Sequence, residues 1–372
     1  MPKVIKLVFL TILFLITESE AENYLWKPDV RLFIDEIVEE HQFNRVQLNM
    51  LFGHAKYQQT ALSFYNSSIK PLPQKYEPVK TGKKCYSKGS WDIYSHNLLG
   101  ISTVYKGIAY MRKHRKTLNR AYKKYGVPPE YVTAIIGIES FYGANTGKYP
   151  VFDTLTTLAF EPNRRQDFFR SELKAFLTMT QREKVNPRNV KGSYAGAIGL
   201  GQFMPSNYQS LAVDFNHDGK IRMNDPVDAI GSIAHYFKRS GWKKGQEVAI
   251  PVSFLGHRYT GKKTGYQYKY SRASLKELRP KRRTSYNGDI YLIKLQRSNR
   301  DELWYGTKNF YAITRYNHSD YYAMAVHQLA QKIMGRNISQ PSNMKKGIII
   351  QRSELDTFLD SPVKGRKFII DL

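Results

Sequence analysis

Glu139 closes the segment Val132-Thr133-Ala134-Ile135-Ile136-Gly137-Ile138-Glu139, shortly after Gly126-Val127-Pro128-Pro129. Proline is tolerated in the first turn of a helix, where its missing N–H had no partner, so a helix is expected from there. At helical spacing Val132, Ile135, Ile136 and Glu139 share one face. A carboxylic acid thus ends the stripe that should face the core. Burial disfavours the charged form and raises the pKa, as a general acid working near neutral pH requires. A Glu at a helix end can equally reach for a nearby Lys, Arg or backbone N–H, and position alone leaves both readings open.

A second constellation suits a hard cation. Asp214, Asn216 and Asp218 stand at positions 1, 3 and 5 of a twelve-residue loop, and Gly219 permits the turn at position 6. Lys220 would offer its carbonyl at position 7 and Asp225 would close the loop at position 12. Asp225 replaces the usual Glu, and its shorter arm reaches less far. The expected ligand is a structural Ca²⁺; an Asx-rich turn without metal is the plainer alternative.

The third is Gly192-Ser193-Tyr194-Ala195-Gly196-Ala197-Ile198-Gly199-Leu200-Gly201-Gln202-Phe203-Met204-Pro205-Ser206. Its glycines let backbone approach a ligand or helix closely. It lacks the Lys-Ser/Thr ending of a phosphate loop, and Ser193 has no nucleophile elbow or matching His–Asp pair. The nine His include no His-Glu-x-x-His, which argues against a zinc peptidase. No organic cofactor is expected.

The elements that position these groups read as mainly helical from Lys27 to about Arg239. Apolar residues recur at spacings of three and four in Val30–Glu40, Thr103–Tyr125, Asp167–Thr180 and Tyr321–Met334. Tyr57–Lys88, rich in Pro, Lys and Ser, reads as a long irregular crossover. Val248–Leu255, Ile290–Leu295 and Leu303–Tyr305 read as short strands, with Asn287-Gly288 as a tight turn before the second. The expected divisions are a signal at 1–21, a helical catalytic region at 22–242 and a β-rich subdomain at 243–312. A returning C-terminal helix at 313–338 and a tail at 339–372, with one strand at Gly347–Gln351, complete the chain.

Lys3 and Lys6 precede the apolar run Leu7–Ile16, and Ser19-Glu20-Ala21 offers small residues for cleavage. An exported, soluble, periplasmic protein is expected, with an uncleaved signal anchor as the alternative. The run is too short for a comfortable membrane span. A single cysteine, Cys85, rules out an intrachain disulfide. The net charge of +27 favours a polyanion as partner; with an export signal, a wall polymer or anionic membrane face is expected rather than nucleic acid. The basic run Arg279–Arg283 reads as a solvated loop.

Taken in order, four blocks resemble the lytic transglycosylase B family of bacterial cell-wall enzymes. They are Gly126 to Ser140, Arg164-Arg165, Gly192-Ser193 to Ser206, and Thr314-Arg315-Tyr316-Asn317-His318-Ser319 with Tyr321 to Val326. The likeness runs from about Lys27 to Ile333; the tail and Gly256–Asn287 match poorly. The resemblance implies an α+β, predominantly α fold: a lysozyme-like helical core with one EF-hand-like loop and a small β-rich insertion. It implies cleavage of the MurNAc-β-1,4-GlcNAc bond of peptidoglycan without water, leaving 1,6-anhydromuramoyl ends. Glu139 matches the catalytic acid/base. Ser193, Gln202, Tyr316 and Asn317 match positions that orient it or hold N-acetyl groups. Arg164 and Arg165 match positions near stem peptide and glycan, and Phe203, Tyr236 and Tyr322 match cleft aromatics. The implied partners are peptidoglycan strands and other cell-wall enzymes.

One carboxyl is chemically sufficient if the substrate's own C6 hydroxyl attacks, whereas most glycosidases need two. The rivals are a lysozyme-type hydrolase with Asp153 as second carboxylate, and a non-catalytic wall-binding scaffold. Buried polar groups serving packing alone would be costly, which disfavours the scaffold.

Overall fold

The structure, a computed structural model, describes residues 23–66 and 89–335. The expected signal, Cys85 and the expected strand Gly347–Gln351 lie outside the described residues. The N-terminal group is α1 (Pro28–His41), α2 (Arg45–Gly53) and α3 (Gln59–Asn66). After α4 (Ser90–Leu98) come α5 (Ile101–Lys113), α6 (Arg115–Tyr125) and α7 (Pro129–Ser140). A short strand β1 (Tyr149–Pro150) leads to α8 (Val151–Phe160) and α9 (Gln166–Arg182), then β2 (Lys191–Gly192), α10 (Pro205–Leu211) and α11 (Pro226–Arg239). Five strands follow: β3 (Ala249–Ser253), β4 (Lys269–Tyr270), β5 (Arg279–Pro280), β6 (Ile290–Gln296) and β7 (Asp301–Gly306). The described chain closes with α12 (Lys308–Thr314) and α13 (Asp320–Ile333).

Helix α7 is the axis of the fold. Every residue from Glu130 to Ser140 is buried, because α5, α6, α11 and α13 all pack against it. A helix apolar on every side belongs in a core, and here its single expected stripe widens to the full circumference. Pro128 and Pro129 set its start. Its end is set by Phe141 and Tyr142, both left-handed (φ 50° and 61°), with the Tyr142 N–H returning to the Ile136 carbonyl at 3.1 Å.

The large sheet is antiparallel, in the order β4-β6-β7-β3-β5. Its side chains alternate with the pleat. Leu292, Leu303 and Tyr305 enter a small separate core with Ile250 and Leu275, while Ile293, Leu295 and Trp304 join the main core. The alternation fastens the β-rich part to the helical body. The second sheet is only β1 with β2, pairing Tyr149 with Gly192, and it ties the glycine-rich segment to the start of α8.

Four expectations need correction. The stretch Thr103–Tyr125 is two helices broken at His114. The expected irregular crossover begins with a regular helix, α3, whose Ala61 and Leu62 are buried. Asn287-Gly288 does not close a hairpin: β6 pairs with β7 and β4, not with the strand before it. Arg279-Pro280 is edge strand β5 on β3, a place where proline costs no central ladder bond, and Arg282 ion-pairs with Glu247.

Candidate active site

Glu139 sits in the last turn of α7 with 8% of its surface exposed. Its carboxylate accepts a hydrogen bond from the Tyr322 hydroxyl. Burial pushes its pKa up to about 7, against the smaller opposing effect of that bond. Charging this group inside the fold therefore costs about 3 kcal/mol more than in water. The result is an acid still half protonated near neutrality.

Ser319 positions the donor: its side chain caps α13 by accepting from the Tyr322 N–H at 3.2 Å. Tyr316 lies parallel to Tyr322, with centroids 6.5 Å apart and planes 10° apart, and donates to the Gly201 carbonyl at 2.5 Å. Tyr236 of α11 packs on Tyr316 at 4.7 Å and donates to the Arg315 carbonyl. Phe203 is 2% exposed and supports both rings from behind, 5.9 Å from Tyr236 and 6.0 Å from Tyr316. It holds the wall and does not form an open face of it.

The glycine-rich segment forms a tight loop in which Ile198 and Phe203 exchange both backbone bonds, at 2.8 and 3.0 Å. Gly199 takes φ +76°, and a Cβ there would stand 2.4 Å from the Met223 carbonyl oxygen. A Cβ on Gly201 would come within 2.9 Å of the Tyr316 hydroxyl. These two glycines are what allow the loop to reach both Met223 and Tyr316. Gln202 is held at φ +49°, and its amide donates to the carbonyls of Gly199 (2.8 Å) and Thr146 (3.1 Å). Its own carbonyl oxygen is left to accept.

Ser193 is buried and its oxygen accepts from the N–H groups of Ala195 (3.2 Å) and Ala197 (3.0 Å). Its proton remains for another acceptor. Among the described residues, the Asn317 side-chain oxygen is buried without a hydrogen-bond partner. Arg164 is exposed. Arg165 stacks its guanidinium on Phe168 at 4.0 Å, and both arginines, with Tyr194, act electrostatically on the Tyr65 hydroxyl. The structure thus joins Glu139, Tyr322, Tyr316, Tyr236 and Phe203 through direct contacts, with Gln202 on the loop that Tyr316 reaches through Gly201. Ser193, Arg164 and Arg165 belong to the side built by α8 and α9.

Three residues escaped the sequence reading. Ser140, fully buried, donates to the Leu200 carbonyl at 2.8 Å and accepts from Gly143 N–H at 3.1 Å, so it clamps the end of α7 to the glycine-rich loop. Glu172, 2% exposed, accepts from Ser206 N–H (2.9 Å) and hydroxyl (2.6 Å), which fixes the start of α10. Asp228 is fully buried and accepts from the N–H groups of Phe215 (2.8 Å), Asn216 (3.3 Å) and Arg222 (2.9 Å). The only sequence signal for them was a small or acidic residue beside a motif.

Asp153 is engaged by the segment between α2 and α3. It accepts from the Lys56 N–H at 3.2 Å and its raised pKa reflects burial, opposed by Lys56 and Arg188. The influences on Glu139 are burial and Tyr322, with no second carboxylate among them.

The candidate ligand positions of the loop from Asp214 to Asp225 offer oxygen, as Ca²⁺ prefers. Asp214 accepts from the N–H groups of His217 (2.7 Å), Asp218 (3.2 Å) and Gly219 (2.8 Å). Asn216 accepts from Asp218 N–H at 3.0 Å, and Asp218 from Lys220 N–H at 3.0 Å. Asp225 caps α11 by accepting from Val227 N–H at 2.6 Å. Arg222 bonds to Asp218. The expected ligand types are in place, but among the described residues no three His, Cys, Asp or Glu side chains converge as a metal cluster. The donors would be a mixed set of carboxylate, amide and backbone carbonyl.

Comparison with known proteins identifies the family. The model of the transglycosylase SLT domain matches residues 26–331. The membrane-bound lytic murein transglycosylase B of Escherichia coli K12 is 40% identical over 313 residues, 82% of each chain. The E. coli lytic transglycosylase SLT35 in complex with bulgecin A superposes with a TM-score of 0.74 at 40% identity, covering 82% of this chain and 93% of that one. SLT35 has also been solved in complex with calcium, at 39% identity over the same shares and with the same TM-score. Soluble lytic transglycosylase SltB1 of Pseudomonas aeruginosa gives 0.69 at 36% identity, covering 82% and 98%. Among the described residues no helix is long and apolar enough to cross a membrane. The chain belongs to the transglycosylase SLT domain family.

Proposed function

We propose that this protein is a peptidoglycan lytic transglycosylase that uses Glu139 first as acid and then as base. The observation that carries the reading is a buried carboxyl, raised to about 7, with one hydroxyl donor and, among the described residues, no carboxylate partner. Protonated Glu139 gives its proton to the glycosidic oxygen as the bond from C1 of MurNAc breaks. The carboxylate left behind takes the proton of the C6 hydroxyl while that oxygen bonds to C1. Proton and leaving group balance, no water is consumed, and the product carries a 1,6-anhydro ring.

Positive charge on C1 needs dipoles in place of a second acid. The free carbonyl oxygen of Gln202 and the unpartnered oxygen of Asn317 suit an N-acetyl N–H or the charged carbon, and the Ser193 proton suits a carboxylate or carbonyl. Tyr322 holds the carboxyl in place and stabilises its charged form. Arg164 and Arg165 supply positive charge for stem-peptide carboxylates.

Calcium would be held by the side chains of Asp214, Asn216, Asp218 and Asp225 and the carbonyl of Lys220, and would stiffen the loop beside α11 without entering the chemistry. The apolar run after Lys3 and Lys6 supports export to the periplasm.

Mass spectrometry of muropeptides released from purified peptidoglycan tests the reading. Anhydro ends, one water lighter than hydrolysed ends, are expected from the wild type. Reducing ends would transfer the assignment to a hydrolase, and no release at any pH would transfer it to a wall-binding scaffold.

A further inference from the structure

No acidic residue lies between Asp92 and Glu130, nor between Asp228 and Glu247. Helix α6 falls inside the first span, and the end of α11 with its following turn inside the second. Leu118, Ala121 and Tyr125 of α6 are buried, which leaves Arg115, Lys116, Lys123 and Lys124 exposed to solvent. Lys243 and Lys244 are exposed as well and extend the same surface. The Lys244 ammonium stands 5.1 Å over the Tyr122 ring of α6, and α6 packs against α11. Among the described residues, none of these six cations has a carboxylate at ion-pairing distance.

The face also lacks something. A helix that binds a bilayer sets Leu, Phe or Trp beside its cations, to bury in the acyl boundary. The exposed large apolar residues of this chain lie elsewhere, at Trp26, Leu32, Val46 and Met50 for example, and none is on α6 or the turn after α11. Lysine dominates the patch, and an ammonium acts as a point charge without the planar fork of arginine. Such a surface suits many fixed charges spread along a polymer better than a single shaped ligand or a lipid surface. None of the six residues belongs to the machinery around Glu139.

We infer that α6 and the Lys243–Lys244 turn form a second, non-catalytic surface that holds the stem-peptide carboxylates of murein while the Glu139 cleft works. This rests on the reading of murein as substrate. Attraction of this kind is long-ranged and screened by salt, so it retains the enzyme on an insoluble polymer without fixing one register.

The test is co-sedimentation with intact murein sacculi over a salt series, in a Glu139→Gln background that leaves the sacculi uncut. One variant carries Lys116→Glu, Lys123→Glu, Lys124→Glu and Lys244→Glu. A control carries Lys276→Glu, Lys281→Glu, Arg283→Glu and Arg300→Glu, all exposed, for the same change in net charge. Melting curves show that both are folded. The α6 variant should lose roughly tenfold or more in affinity at low salt and flatten the salt dependence, while the control stays near wild type. With Glu139 restored, both should turn over short soluble glycan strands as the wild type does. Equal loss in both variants, no loss in the α6 variant, or preferential retention of the parent on anionic phospholipid vesicles would overturn the inference. Wild-type protein that sediments with sacculi but releases no anhydro ends would instead sink the functional reading and leave the surface standing.

Discussion

Two regions place carboxyl groups in opposite circumstances. Glu139 is enclosed by apolar helices and given one donor, and burial drives its pKa up to about 7. Asp218 lies on the surface in a loop full of backbone N–H groups beside Arg222, and its pKa is held below the usual carboxylate range, first by the bond from Arg222. One acid is prepared to hold a proton and the other to stay charged. The difference comes from the number of donors and the access of water, since the functional group is the same.

Glu139→Gln should break the comparison most sharply. Turnover should fall by at least about a thousandfold, the scale of a lost general acid, with the fold unchanged. The same variant should be the more stable protein in alkaline solution. A raised pKa means that the folded state binds the proton more tightly, so the Glu139 contribution is intact below pH 4.5 and is lost as pH rises through about 7. Melting curves should therefore coincide for wild type and variant near pH 4 and separate by a few degrees at pH 8.5, the variant above. Coincidence at both values would remove the buried-acid reading.

Tyr322→Phe comes next. Removing the donor that stabilises the charged form should raise the pKa of Glu139 further and move the alkaline limb of the pH–rate profile to higher pH. Turnover at neutral pH should drop about tenfold, through loss of position. An unmoved limb would mean that the hydroxyl serves packing alone.

Excess chelator acts on the other region. On the proposal that calcium stiffens the loop beside α11 without entering the chemistry, the melting temperature should fall by several degrees while turnover at low temperature is kept. Identical melting curves would remove calcium from the description. The smallest effect belongs to Arg222→Ala, whose exposed ion pair with Asp218 should leave the melting point within about a degree.

The acid was legible because it interrupts a nearly continuous apolar run, and the loop because its oxygens fall at fixed spacing. The encirclement of α7 was not, since periodicity reports one stripe and not how many neighbours come to cover it. The break at His114 was also hidden: neither Gly nor Pro marks it, and α5 and α6 carry similar spacing. Ser140, Glu172 and Asp228 find their partners 60, 34 and 13 residues away. A buried polar residue whose partner is distant in the chain leaves no local trace. Strands β6 and β7, by contrast, fall where the short apolar runs Ile290–Leu295 and Leu303–Tyr305 place them.

The tyrosine that bonds to the acid arrives 183 residues after it, on the last helix of the described chain. A polypeptide emerging amino end first therefore carries its acid long before it can aim it. Helices α5 to α7 can assemble early, yet a chain halted before Tyr322 lacks both the donor to the acid and the helix that covers α7. The hydrogen-bonded acid is complete only when α13 closes against α7.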